Sequence, residues 1–265
     1  MTSHFRTLEI SDPRFSHEGL HQITVKVPSL QGRGDISVYL PENTTAPLPL
    51  VILLHGVYGS HWVWALKGGV HRTARRLIEA GSIKPIALAM PSDGLFGDGS
   101  GYLPHSGCDF EKWIVKDVVN ATQEAFPNIQ PTEAGLFIAG LSMGGFGALR
   151  LGAKYPLLFR GFAGHSSITE LTQMSQFVEE PLSVYQQQSS DEGSVLAQLL
   201  KNRTQLPLFR FDCGLDDDLL PANRTLHQKL TEQGIPHIYE EFAGGHEWPY
   251  WEKHIERTLV FFDSL

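Results

Sequence analysis

Cysteine is scarce: Cys108 and Cys213 are the only two in 265 residues, which excludes a disulfide framework, and neither has the spacing of a zinc ligand. Both are expected to be reduced and structural. No block of Lys or Arg appears, and the formal net charge of −8 is spread along the chain, so there is no electrostatic footprint for nucleic acid or for an anionic membrane surface. No apolar stretch is long enough to cross a bilayer. The stretch Met1–Pro13 lacks the basic segment and apolar run of an export signal, and the expectation is a soluble, cytoplasmic protein. Asp93 and Asp98 share a glycine-rich loop, but calcium loops need more carboxylates at regular spacing. No metal and no organic cofactor are expected, and no internal repeat is evident.

A hydrophobic content of 42% supports a sizeable core, and residues 1–265 read as one domain. Leu20–Val27 and Asp35–Leu40 alternate apolar and polar residues around Gly32 and Gly34, predicting an antiparallel hairpin at a sheet edge. The alternation then stops. Leu48–Leu54, Lys84–Met90, Gly135–Leu141, Phe159–His165 and Pro207–Cys213 are largely apolar runs, as expected of parallel strands covered on both faces. Helical patterns follow them at Val70–Ala80, Asp109–Phe126, Phe146–Tyr155 and Leu226–Gly234, and His237–Phe242 reads as the last strand. Trp113 is expected in the core, and Asp117 beside it as a buried partner for a backbone amide or an Arg. Residues 166–204 break the strand–helix alternation and are rich in Gln, Ser and Glu; an insertion of that length predicts a small helical cap over the site.

The chain is organised around Gly140-Leu141-Ser142-Met143-Gly144, a G-x-S-x-G turn between a buried strand and a helix. In this context the turn exposes the serine hydroxyl at the carboxyl edge of the sheet. The pattern recurs by chance, so the argument rests on its partners. A hydroxyl needs a base to remove its proton, and the base needs an acid to orient it. In the chain order Ser, acid, His, the acid falls in Gly214-Leu-Asp216-Asp217-Asp218-Leu219, where spacing does not choose among the three aspartates. Of twelve histidines, His246 alone combines that order with a loop after two glycines and a following helix; His165 is the reserve candidate. The turn His55-Gly56-Val57 ends a buried strand, and the amides of Val57 and Met143 are the expected oxyanion donors. The His55 ring is expected to bond nearby backbone.

These motifs, with Met90-Pro-Ser-Asp-Gly94 and Gly244-Gly-His-Glu-Trp248, resemble the esterase D branch of the α/β-hydrolases, which includes S-formylglutathione hydrolases, tributyrin esterases, feruloyl esterase domains and mycolyltransferases. The resemblance covers most of the chain and implies a mostly parallel central sheet with helices on both faces. Aligned to the family's acid turn, Gly214 and Leu219 place the acid at Asp217. The family's oxyanion donors fall on Val57 and Met143. S-formylglutathione hydrolases typically carry Gly-Leu-Thr-Cys where this chain has Gly56-Val-Tyr-Gly-Ser60, which moves the expectation toward the tributyrin and feruloyl side.

The expected activity is therefore hydrolysis of short-chain or aromatic carboxylic esters through an acyl-enzyme on Ser142. Tyr58, Trp62, Phe96, Tyr102, His165 and Trp248 are the candidate pocket residues, and a small-molecule ester is the expected partner. A thioesterase or acyltransferase would use the same three residues, a peptidase likewise, and a non-catalytic binding scaffold would be expected to have lost one of them. Homo-oligomerisation is left open by the sequence.

Overall fold

The computed structural model describes residues 4–42, 44 and 46–265; Met1, Thr2 and Ser3, which begin the stretch read for an export signal, lie outside the described residues. The strands are β1 (Leu8–Ile10), β2 (Leu20–Val27), β3 (Gly32–Tyr39), β4 (Leu50–Leu54), β5 (Ala87–Pro91), β6 (Pro104–His105), β7 (Cys108–Asp109), β8 (Leu136–Leu141), β9 (Gly161–His165), β10 (Phe209–Gly214) and β11 (Ile238–Phe242). The helices are α1 (Val63–Leu66), α2 (Val70–Glu79), α3 (Phe110–Lys112), α4 (Val119–Ala125), α5 (Pro131–Ala134), α6 (Met143–Lys154), α7 (Val195–Lys201), α8 (Leu220–Glu232) and α9 (Trp248–Asp263).

Among the described residues nine strands form one sheet in the order β1-β2-β3-β5-β4-β8-β9-β10-β11. The six from β5 to β11 run parallel, and β1, β2 and β3 are antiparallel at one edge. The apolar runs follow from burial on both faces. Along β4, Leu50, Ile52 and Leu54 enter one core with Phe146 and Leu149 of α6. Val51 and Leu53 enter the other, with Ala74 of α2 and Leu259 of α9. The sheet is thus the middle layer of an α/β-hydrolase fold, and among the described residues no helix is long and apolar enough to cross a membrane.

Four expectations need adjustment. The stretch read as one helix over Asp109–Phe126 contains a wider turn at Trp113–Val118 between α3 and α4. Trp113, Ile114, Asp117 and Val118 are buried along it. Asp117 takes its hydrogen bond from the Ser29 hydroxyl, not from a backbone amide or an Arg. Helix α8 begins at Leu220, earlier than the apolar periodicity indicated, with Pro221 in its first turn, where the missing N–H costs nothing. The segment between β9 and β10 has one α-helix, α7, and three short 3₁₀ turns at Leu171–Gln176, Leu182–Tyr185 and Ser190–Gly193.

That segment is tied to the body by a buried ion network. The Arg150 guanidinium on α6 pairs with Glu111 at 2.6 Å and with Glu192 of the segment at 2.8 Å, while Lys154 bridges the same two carboxylates.

Candidate active site

Strand β8 delivers Ser142 into α6 with φ 56° and ψ −120°, a left-handed conformation that a side chain adopts only when its surroundings enforce it. Glycine makes the turn fit. A Cβ on Gly140 would lie 2.2 Å from the Gly144 carbonyl oxygen, and one on Gly144 would lie 2.3 Å from that of Leu54. The helix therefore packs directly on the end of β4, and its N-terminus points at the serine.

The end of β4 supplies the facing loop. His55 Nε2 accepts the Asp93 amide at 3.1 Å, so its Nδ1–H is free to donate to the Gly56 carbonyl at 2.7 Å. The Gly59 amide reaches the same carbonyl at 3.2 Å. In a planar trans peptide the N–H points opposite to the C=O, so holding the Gly56 carbonyl also aims the Val57 N–H. Gly56 stands against the serine: a Cβ built there would lie 3.2 Å from Ser142 Cβ and 3.6 Å from its Oγ. The His55 ring thus bonds backbone, as expected.

The other two partners come from adjacent loops. The Leu215 and Asp216 amides donate to the carbonyls of Phe242 and Gly244 at 2.8 and 3.0 Å, lacing the turn after β10 to the one after β11. Asp216 and Asp218 face solvent, whereas Asp217 is buried. Asp217 Oδ1 accepts the Leu219 amide at 2.8 Å, and Oδ2 lies 2.9 Å from His246 Nδ1. His246 Nε2 is 3.0 Å from Ser142 Oγ. Burial pushes the Asp217 carboxyl up, but the hydrogen bond and charge of His246 and the Leu219 amide outweigh it and hold it below the usual carboxylate range. An ionised carboxylate only accepts, so Nδ1 carries the proton and Nε2 is left to accept from Ser142.

The remaining candidates are distributed differently. Tyr58 is 70% exposed beside the His55–Gly56 loop, and Trp62 is 43% exposed at the start of α1. Trp248 packs edge-on against Trp64 and Trp251, and the Trp251 ring in turn meets His246 edge-on at 5.0 Å. Phe96 packs against His105, Phe110 and Tyr185. Two candidates are corrected outright. Tyr102 is fully buried and donates its hydroxyl to the His55 carbonyl at 3.0 Å, so it props the loop from beneath. His165 is also fully buried, between Asp212 and the Thr258 hydroxyl, each at 3.0 Å; its ring nitrogens are both occupied inside the protein.

Asp93 and Asp98 serve backbone amides, those of Leu95 and Ser100 for Asp93 and that of Glu179 for Asp98. Among the described residues no cluster of three or more His, Cys, Asp or Glu is arranged to hold a metal ion. Cys213, free at the buried end of β10, has its thiol pushed up by burial, which suits a structural role.

Phe177 was not legible in the sequence. It stacks on the His246 ring at 5.5 Å between centroids and 22° between planes, but it comes from the segment between β9 and β10, whose composition carries no motif. Trp251 offered a weak signal, five residues after His246 on the following helix.

The relatives agree with this architecture. An acetyl esterase from Caldicellulosiruptor saccharolyticus is 29% identical over 236 residues, covering 82% of this chain and 84% of its own. A ferulic acid esterase superposes with a TM-score of 0.79 at 22% identity, covering 97% of this chain and 99% of its own. An S-formylglutathione hydrolase from Staphylococcus aureus does so with 0.76 at 19% identity, covering 96% and 98%. At these identities the structural likeness is one of fold. Residues 28–262 match the esterase family along nearly the whole length, and the chain belongs to that family of carboxylic ester hydrolases.

Proposed function

We propose that the protein is a serine carboxylesterase acting on short-chain or aromatic esters, with Ser142 as nucleophile, His246 as general base and acid, and Asp217 as the orienting carboxylate. The observation that carries this reading is the unbroken chain from Asp217 through His246 to Ser142, with contacts of 2.9 and 3.0 Å. His246 Nε2 takes the serine proton as Oγ attacks the ester carbonyl. The amides of Val57 and Met143 hold the oxyanion, each such donor contributing about 3 kcal/mol to lowering the barrier. The tetrahedral intermediate expels the alcohol, which receives its proton from Nε2. Water then repeats the sequence on the acyl-enzyme and regenerates Ser142. Nucleophile, base, acid and oxyanion donors are all supplied by the chain, so this chemistry needs no cofactor.

The acetyl esterase among the relatives supports a short acyl group. The intact contacts weigh against a non-catalytic scaffold. We further read residues 1–265 as one catalytic domain with 166–204 as its cap, in a cytoplasmic enzyme without nucleic-acid or membrane partners, which the free cysteines and the acidic net charge support.

The test is hydrolysis of p-nitrophenyl esters from acetate to decanoate, with S-formylglutathione and methyl ferulate alongside, by wild type and Ser142→Ala. Short acyl esters should be preferred, and the substitution should lower kcat about a million-fold. A dominant thioester or feruloyl rate would replace the substrate assignment, and turnover independent of Ser142 would overturn the mechanism.

A further inference from the structure

Within the proposed mechanism the scissile ester has two ends in known places. Its carbonyl oxygen lies at the amides of Val57 and Met143, and its leaving oxygen lies within hydrogen-bond reach of His246 Nε2, which returns the proton. Tyr58 directly follows Val57, and Phe177 lies on the face of the His246 ring. The Tyr58 hydroxyl donates to the Phe177 carbonyl. These two residues therefore connect the oxyanion end of the site to its leaving-group end.

The connection is anchored at both feet. The Tyr58 amide donates to the Asp98 carbonyl at 2.8 Å. The Asp98 carboxylate accepts the Glu179 amide at 2.8 Å, and the Glu180 carboxylate accepts the Asp98 amide at 2.9 Å. The Tyr185 hydroxyl donates to the Gly99 carbonyl at 2.8 Å. Tyr58 itself has a left-handed φ of 58°, a conformation kept only under local constraint. Shielding from water and the carboxylates of Asp98, Glu179 and Glu180 push its phenol above the ordinary range, so the hydroxyl remains a donor at neutral pH and above. Ser142 itself is 2% exposed, so the approach to its hydroxyl is narrow.

We infer that Tyr58 and Phe177 form a strap across the leaving-group side of the cleft, and that this strap makes the enzyme select esters by the bulk of their alcohol. Phe177 is a specificity-determining residue on this reading, which rests on the roles assigned to Ser142 and His246. A group attached to the leaving oxygen must pass the edge of the Phe177 ring, whereas an acyl chain, on the other side of the carbonyl carbon, does not.

The experiment compares wild type, Phe177→Ala, Phe177→Leu, Tyr58→Phe and Ser142→Ala on two ester series. One holds the acyl group as acetate and varies the alcohol through ethanol, benzyl alcohol and naphthylmethanol; the other holds ethanol and varies the acyl chain. Phe177→Ala should raise the kcat/KM ratio of naphthylmethyl to ethyl acetate by about tenfold, on the scale by which a pocket discriminates a few carbon atoms. Tyr58→Phe, which keeps the ring and removes the hydroxyl, should shift the same ratio in the same direction by less. The acyl-chain preference should not move. An unchanged alcohol ratio in the Phe177 variants, or a shift confined to the acyl series, would overturn the inference and leave the esterase reading standing. If wild type showed no Ser142-dependent hydrolysis of any ester, the esterase reading itself would fall, and the strap's role with it.

Discussion

Two Asp–His–hydroxyl chains are present, one on the loops after β8, β10 and β11 and the other on β9, β10 and α9, and solvent access separates their roles. In Asp217–His246–Ser142 the imidazole keeps 26% of its surface in solvent. In Asp212–His165–Thr258 every member is fully buried. Thr258 also accepts Arg210 at 2.6 Å, and Asp212 additionally meets Arg210 and the Tyr250 hydroxyl at 3.0 and 2.9 Å. Bond geometry alone does not distinguish a relay from a structural network; access does. Asp217→Asn should therefore lower kcat by about ten-thousand-fold, by favouring the wrong tautomer of His246, with only a modest drop in melting temperature. Asp212→Asn should do the reverse, costing about 3 kcal/mol of stability because Arg210 loses its buried partner, while the folded fraction retains turnover. Urea unfolding and active-site titration of both variants separate the two effects. In the sequence His165 was a reserve that precedes the acid and so breaks the chain order; the structure buries it fully, with Nε2 held by Thr258 of α9.

At the scale of elements, the site depends on how closely α6 approaches β4. Gly144 has backbone atoms of Leu54 and His55 within 2.5 Å of where its Cβ would be, and backbone cannot rotate away as a side chain can. Gly144→Ala should therefore destabilise by about 3 kcal/mol or prevent folding, and chemical denaturation with ester turnover on the surviving fraction would check it. Elements with strong periodicity were legible: the β4 run, the β8–α6 turn and the β2–β3 hairpin all follow from local pattern. The wider turn inside α3–α4 was not, because an apolar stripe shows which residues are buried without counting the residues per turn. The segment 166–204 was legible as an interruption and read as a helical cap, of which α7 is the one α-helix. Its 3₁₀ turns are held by contacts from elsewhere, such as Arg150 to Glu192, so its own residues do not encode a helical period.

For the whole molecule, acid is the condition to which stability should be most sensitive. Burial opposes ionisation of Glu111 and Asp217, but Arg150 and its neighbours for the first, and His246 for the second, hold both carboxyls below their ordinary values. The hydrogen bond from Arg72, with His71 and Arg75, lowers Glu18 from 4.5 to about 2. Each of these groups binds its proton more readily in the unfolded chain. Their contribution is therefore complete above the unfolded values of about 4 and is lost as pH falls through the folded ones. Burial also holds His21, His61, His71, His105, His237 and His254 below their ordinary value, so melting temperature should begin to fall below about pH 6.5, where the unfolded chain takes up those protons, and fall further below about pH 4 as the carboxylates titrate. Glu18→Gln should make that fall shallower, and thermal unfolding followed from pH 7 to 3 would check both; a flat curve in wild type would contradict the assignment.

What the sequence determined by itself was what local chemistry dictates: buried parallel strands from unbroken apolar runs, the serine turn from its two glycines, and the histidine from its loop and chain order. The choice of Asp217 among three adjacent aspartates rested on a resemblance, and in the structure it corresponds to the one that is buried and faces His246. Only the tertiary structure decided that Tyr102 and His165 lie beneath the site, that Asp212 belongs to a structural network, and that Phe177 from the interrupted segment lies over His246. Those outcomes depend on which chain segments pack together, and residues more than forty positions apart leave no periodic trace of one another in a single sequence.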